Sequence, residues 1–340
     1  MRGDELIFSD NVAALFHKGQ LVDYWPRPLG HESEYSIGAL LQGRITSVSA
    51  PQNRAICQLP NGELASFRLI PKTKYLVGDL VSLTLTAMPR QHKPWQATPG
   101  ISRAGQYVVL HFGNEEVRAS HKAKQAVSSD VIKKVKEALP PSWGAVLKRA
   151  SIQAQVQQIC EEIKHLLAPI TQSISMPENE MFCAYEGDKA AQLWALSVPH
   201  DVKRTRLDDD DYWDEIDDRA RIDCEETILL PSGARLSCEQ TQALLAIDVD
   251  SGGSRHAPSA LVREVAPEIM RLIRLVNYSG VILVDMPRLS KEDGAVCLRL
   301  LRDCAADDIR HPDVLGFTKS GLIEIIVRHR LAPLRQRLPE

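Results

Sequence analysis

The sequence predicts an α/β protein, α+β multidomain in detail, and three observations carry that prediction. From residue 223 onward apolar runs alternate with long amphipathic stretches: strands at 227–230, 243–249 and 281–285, helices at 259–276 and 291–306, then strands at 314–316 and 322–327. Strands alternating with long helices imply a layered sheet. Residues 37–99 instead hold short strands split by turn signals such as Pro60-Asn-Gly and Val77-Gly-Asp. That pattern fits a small closed barrel, with the OB-fold as the candidate. A length of 340 residues is enough for two or three domains.

The elements follow in order. Leu6–Phe8 and Val12–Phe16 read as a hairpin, with Gly19 marking a turn and Pro26–His31 a linker. The barrel strands begin at Gly43, Arg54, Leu64 and Leu80. Beyond residue 100 come a strand at 107–110, a helix over 130–139 ended by Pro140-Pro141, a strand at 143–148 and a helix over 153–167. Strands at 181–184 and 193–197 precede an acidic run.

Composition narrows the class. Apolar residues make up 44% and charged residues 25%, ordinary for a globular protein. No apolar run is long enough to span a bilayer, and the N-terminus lacks the apolar core of a signal peptide. The expectation is a cytoplasmic chain that does not engage a membrane. The seven cysteines are scattered without a Cys-x-x-Cys, which argues for reduced thiols rather than a disulfide framework or a thiolate zinc site. The formal charge of −3 conceals eight carboxylates between residues 207 and 218; without them the chain would carry +5. A moderately basic body is compatible with RNA binding. The acidic run 208–218 reads first as a solvated loop near a domain junction. Mimicry of RNA, or a protein partner docking there, is the alternative.

The candidate chemistry sits at two strand ends, Ala246-Ile-Asp248-Val-Asp250-Ser-Gly-Gly and Gly280-Val-Ile-Leu-Val-Asp285. Carboxylates ending buried strands are costly unless a cation meets them. A hard divalent ion answers that need, since Mg²⁺ takes oxygen ligands and commonly one or two carboxylates. The pair therefore points to metal-assisted phosphodiester chemistry.

Five segments stand in a fixed order: Ile228-Leu-Leu-Pro-Ser-Gly233-Ala-Arg235, Gln242 to Gly252, the helix Ala266 to Leu275, Ser279 to Asp285, and Leu315 to Ile325 followed by Arg328-His-Arg330. That order resembles the ribonuclease E/G family of bacterial endoribonucleases. Weaker matches are Gly30-His-Glu, Gly43-Arg-Ile-Thr and Ile101 to Leu110. The resemblance implies a split RNase H-like subdomain (1–36 and 166–222), an inserted OB-fold RNA-binding domain (37–99), a 5′-sensor-like region (100–165) and a C-terminal DNase I-like catalytic subdomain (223–340). It also implies that Asp248 and Asp285 hold one Mg²⁺. Asp250 stands where the family has an Asn, and reads either as a third ligand or as a polar placeholder. An ionised Asp cannot donate the hydrogen bond an Asn can. The family's zinc-linking Cys-Pro-x-Cys has no counterpart, so no zinc-linked oligomer is expected. Of the two phenylalanines on the family's barrel face, Phe67 matches one and Ile56 stands at the other. The family's Arg-Thr pair in the 5′ sensor is replaced by Lys148-Arg149.

Single residues keep two readings. Phe67 is a barrel core residue or a platform for base stacking. Arg274 is a surface arginine or an RNA contact. Lys148 and Arg149 are exposed bases after a strand or phosphate contacts, and the same choice applies to Lys319 and Arg328. Ser251-Gly252-Gly253 is a turn or a phosphate cradle. The function expected is a Mg²⁺-dependent endoribonuclease on single-stranded RNA, leaving 5′-phosphate and 3′-hydroxyl ends in RNA processing or decay. The alternative is a non-catalytic RNA-binding member of the same family.

Overall fold

The computed structural model describes residues 3–27, 33–90, 93–121, 123–170, 177, 179–187, 198, 202–241, 243–252, 258–306, 308 and 310–339. The chain forms two compact units, one of Met1–Gly30 with Asp201–Glu340, the other of His31–His200. In the first unit the N-terminal hairpin gains a third strand: β1 (Glu5–Phe8), β2 (Ala13–His17) and β3 (Gln20–Trp25) run antiparallel in sequence. Gly19, with φ of 74°, makes the tight β2–β3 turn that the sequence marked.

The second unit opens with the barrel. Strands β4 (Leu40–Ser49), β5 (Arg54–Gln58), β6 (Leu64–Arg68), β7 (Leu80–Ala87) and β8 (Trp95–Pro99) pair in the order β4-β5-β6-β8-β7, and β7 closes back on β4. Ile45, Cys57, Ala65, Phe67, Leu83, Leu85 and Trp95 are buried in it. A smaller sheet follows, from β9 (Ser102–Ala104), β10 (Val108–Phe112), β11 (Val117–Ala119) and β12 (Trp143–Leu147). Its core is shared with α1 (Ser129–Ala138), capped by Ser128, and α2 (Val156–Leu167). β13 (Phe182–Tyr185) adds to the edge of β4. The strand expected at 193–197 lies outside the described residues.

The first unit resumes with β14 (Lys203–Arg206), which pairs in parallel with β1. The acidic run is not the solvated loop its composition suggested: Asp210–Asp223 is helix α3. Asp209 caps it by accepting from the Tyr212 N–H at 3.3 Å, and Asp210 and Asp211 occupy the first turn, where negative charge suits the helix dipole. Trp213, Ile216 and Ala220 fall three and four residues apart and bury against Val12, Phe16 and Tyr24. Part of the negative charge is answered internally, since Arg27 pairs with Asp210 and Asp214.

The closing sheet contains β15 (Thr227–Leu229), β16 (Arg235–Gln240), β17 (Leu244–Asp250), β18 (Gly280–Asp285), β19 (Asp313–Phe317) and β20 (Ile323–Val327), in the order β15-β16-β17-β18-β20-β19. Helix α4 (Pro258–Leu275) carries the chain from β17 to its parallel neighbour β18, and α5 (Lys291–Ala306) leads on to β19. Strand residues Leu236, Ile247, Val249, Ile282, Val284, Ile323 and Ile325 bury against Val262, Val265 and Ile269 of α4 and Cys297 and Leu301 of α5. Side chains alternate along strands, so both helices cover one face and the residues between those listed project from the other. All seven cysteines are free thiols. Among the described residues no helix is long and apolar enough to cross a membrane.

Candidate active site

The alternation that buries Ile247, Val249 and Val284 against the helices sends Asp248, Asp250 and Asp285 to the opposite face, which no helix covers among the described residues of this unit (the uncovered face), and all three are exposed. The parallel ladder between β17 and β18 sets Asp248 directly beside Asp285. Neighbouring strands lie roughly 4.8 Å apart, so the two carboxylates leave the same face of the same sheet end within reach of a common ion. Among the described residues neither carries an ion pair with a cationic side chain. Two adjacent oxygen donors at the carboxyl ends of parallel strands could hold a hard divalent ion, which takes oxygen ligands.

Asp250 projects from the same face two residues farther along, but its Oδ1 accepts from the Gly252 N–H at 2.9 Å. Among the described residues no group of three or more His, Cys, Asp or Glu side chains gathers as a metal cage. The candidate centre offers the Asp248–Asp285 pair, and Asp250, on the same face, also engages the turn through Oδ1. Gly252 has φ of 60°, and a Cβ there would meet the Gly233 carbonyl oxygen at 2.0 Å. Close approach of two turns accounts for that glycine. Gly253 lies outside the described residues.

The basic residues singled out by sequence separate sharply. Lys319 is exposed in the turn between β19 and β20, and pairing of Val284 with Ile323 puts that turn at the sheet end where Asp285 sits. Arg328, also exposed, follows β20 at the opposite end, where Val327 pairs with Gly280. Arg274 is not available to RNA. Its side chain is 5% exposed, and its Nε donates to Asp23 Oδ2 at 2.9 Å. Burial raises the Asp23 carboxyl above its usual range, against the pull of Arg274.

In the second unit Phe67 is 1% exposed and packs edge-on against Tyr75 with ring centroids 5.3 Å apart. A stacking platform needs an open ring face, so Phe67 serves the barrel core. Lys148 is half-buried with its Nζ donating to the Gly105 carbonyl at 2.8 Å, while Arg149 is exposed at the start of a short 3-10 turn. Beside them the Glu162 carboxylate accepts the backbone N–H groups of Gln106, Tyr107 and Val108. Burial pushes its pKa up to about 7, although those donors and Lys148 pull downward.

Sequence reasoning passed over β16 altogether. Its register sets Ser237 opposite Asp248 and Arg235 opposite Asp250, both on the uncovered face. The alternation Arg235, Ser237, Glu239 around buried Leu236 and Cys238 was the available signal.

Residues 215–331 match the Ribonuclease E/G family. The matching segment contains β15 to β20, both candidate metal-binding aspartates, Arg235 and Lys319. The chain is similar to Ribonuclease E of Synechocystis sp., 34% identical over 103 residues, which cover 28% of this chain and 15% of that protein. It is similar to Ribonuclease E of Nostoc sp., 35% identical over 103 residues with the same coverage. It is also similar to Ribonuclease G of Escherichia coli K12, 30% identical over 108 residues, or 30% of this chain and 22% of that protein. The similarity thus spans less than a quarter of these curated relatives.

Proposed function

We propose that this protein is a Mg²⁺-dependent endoribonuclease of single-stranded RNA, leaving 5′-phosphate and 3′-hydroxyl ends. One observation carries the reading: Asp248 and Asp285 are register partners on an uncovered sheet face inside the segment that matches the Ribonuclease E/G family. Relatives named Ribonuclease E and Ribonuclease G support it. In hydrolysis the oxygen of a water forms the new P–O bond, the P–O3′ bond breaks, and the departing 3′ oxygen takes up a proton. Asp248 and Asp285 would hold the Mg²⁺, which when bound lowers the pKa of water and offsets charge on the phosphate. Lys319, at the same sheet end, would position the RNA backbone without reading sequence.

The barrel supports the RNA half of the proposal. Its five strands carry Arg44, Arg54 and Arg68 and no carboxylate. Its strand order fits the OB-fold that the strand and turn pattern suggested. The RNase H-like, 5′-sensor-like and DNase I-like subdomains, and a place in RNA processing or decay, belong to the same proposal.

The test is cleavage of a 5′-labelled, AU-rich single strand with Mg²⁺, beside EDTA and the variants Asp248→Asn and Asp285→Asn. Cleavage abolished by all three supports the enzyme. Binding that persists without cleavage in the unaltered protein would instead make this a binding module.

A further inference from the structure

A polyanion approaching the candidate centre meets an unfavourable field. The uncovered face of the closing sheet presents Glu239, Asp248, Asp250, Asp285 and Glu324. A bound divalent ion answers the pair at its own position and leaves the others uncompensated. On the strands of that face Arg235 is the cation closest to the pair. It is one strand over from Asp248 and two residues along, about 8 Å between Cα atoms by ordinary strand geometry.

Three features taken together distinguish Arg235 among the bases considered. It is exposed, whereas Arg274 is buried against Asp23. It rises from a paired strand, so its origin is fixed by the ladder, whereas Lys319 stands in a turn. Among the described residues it makes no ion pair. Its cross-strand neighbour Asp250 is already accepting from the Gly252 N–H. On its other side Leu229, 69% exposed, is its register partner on β15, offering an apolar contact for a sugar or base.

We propose that Arg235 is a substrate-binding residue that grips an RNA phosphate flanking the scissile one, with Leu229 alongside. The guanidinium fork suits a phosphate better than an ammonium does. The location relative to the scissile phosphate rests on the nuclease reading; the phosphate contact does not. The competing account is that Arg235 only neutralises Asp250.

The experiment uses the full chain carrying Asp285→Asn, in EDTA, binding a labelled 15-nucleotide AU-rich RNA across a salt series. Arg235→Ala should reduce the slope of log K against log salt by about 0.7, one phosphate contact on a single strand, and weaken binding roughly fivefold near 0.1 M salt. Arg235→Lys should restore the slope, with lower affinity than arginine. In the cleaving protein Arg235→Ala should raise KM with little change in kcat, as expected for uniform binding. An unchanged slope in Arg235→Ala overturns the proposal. So does a loss that disappears when Asp250 is also changed to Asn, because Arg235 would then act only through Asp250. If no form of the protein cleaves RNA but the slope still falls, the nuclease reading fails and the contact stands. If cleavage is normal and Arg235→Ala is neutral, the reverse holds.

Discussion

Replacing Arg274 with Met separates a structural arginine from an RNA contact. In the folded chain Arg274 lies 5% exposed on α4, and Asp23 on β3 is 16% exposed at the side chain. Arg310 and Asp308 form a second buried pair nearby, and Arg310 also donates to Asn277 Oδ1 at 3.1 Å and to the Ile273 carbonyl at 2.9 Å. Removing one member of a buried pair leaves an uncompensated charge, a loss of about 3–5 kcal/mol. Asp23 can relieve part of that by taking a proton, so the low end, about 3 kcal/mol, is expected at neutral pH. The sign with pH follows. Burial raises the Asp23 carboxyl in the folded state, so its cost grows as pH rises from the ordinary carboxylate range through that higher value. Losing Arg274 removes a group that opposes the rise, and the deficit of Arg274→Met should shrink as pH is lowered. Urea unfolding followed by tryptophan fluorescence reads the loss as a lower midpoint with an unchanged slope. The pair Asp23→Leu with Arg274→Met should recover most of it. Unchanged stability together with a weaker, less salt-dependent RNA interaction would refute the structural assignment.

Two further outcomes test the second unit. Phe67→Ala empties the barrel core beside Tyr75 and should cost about 3–5 kcal/mol, read by thermal unfolding, with RNA affinity retained wherever the barrel stays folded. Loss of affinity in a fully folded Phe67→Ala protein would restore the stacking role. Glu162 titrates at about 7 in the folded chain against an ordinary 4.5, so between those values the folded state holds a proton that the unfolded chain has released. Its contribution is greatest at low pH and is lost as pH rises through about 7, a change of about 3 kcal/mol. Unfolding midpoints measured from pH 4.5 to 8 should fall accordingly, and Glu162→Gln should flatten the curve. An equally steep curve in that variant would assign the effect to another group.

Local pattern went far with this chain. Apolar runs at 243–249 and 281–285, the helical spacing of 259–276 and 291–306, and the turn residues of the barrel announced elements close to those observed, while β3, β8, β9, β11, β14 and β16 went unread. The pairing of Asp248 with Asp285 came from the family resemblance, and the parallel register of β17 and β18 sets the two side by side. The failures share a cause. Asp208 to Asp218 read as a loop because charge outweighed the spacing of Trp213, Ile216 and Ala220, whose face is buried against the N-terminal strands, Leu275 and Leu334. Phe67 could be turned inward or outward until its pairing with Ala55 and the closure of the barrel decided.

What the sequence determined by itself is most of the strands and helices of the closing sheet and the chemistry of their ends, because alternation, capping and turn preference act between residues close along the chain. What only the tertiary structure decided is which charges are available. Arg274 is withdrawn by Asp23, 251 positions away, while Arg235 is left open beside the carboxylates by a ladder register. Burial and pairing of charge are properties of neighbours in space, and no local spacing encodes them.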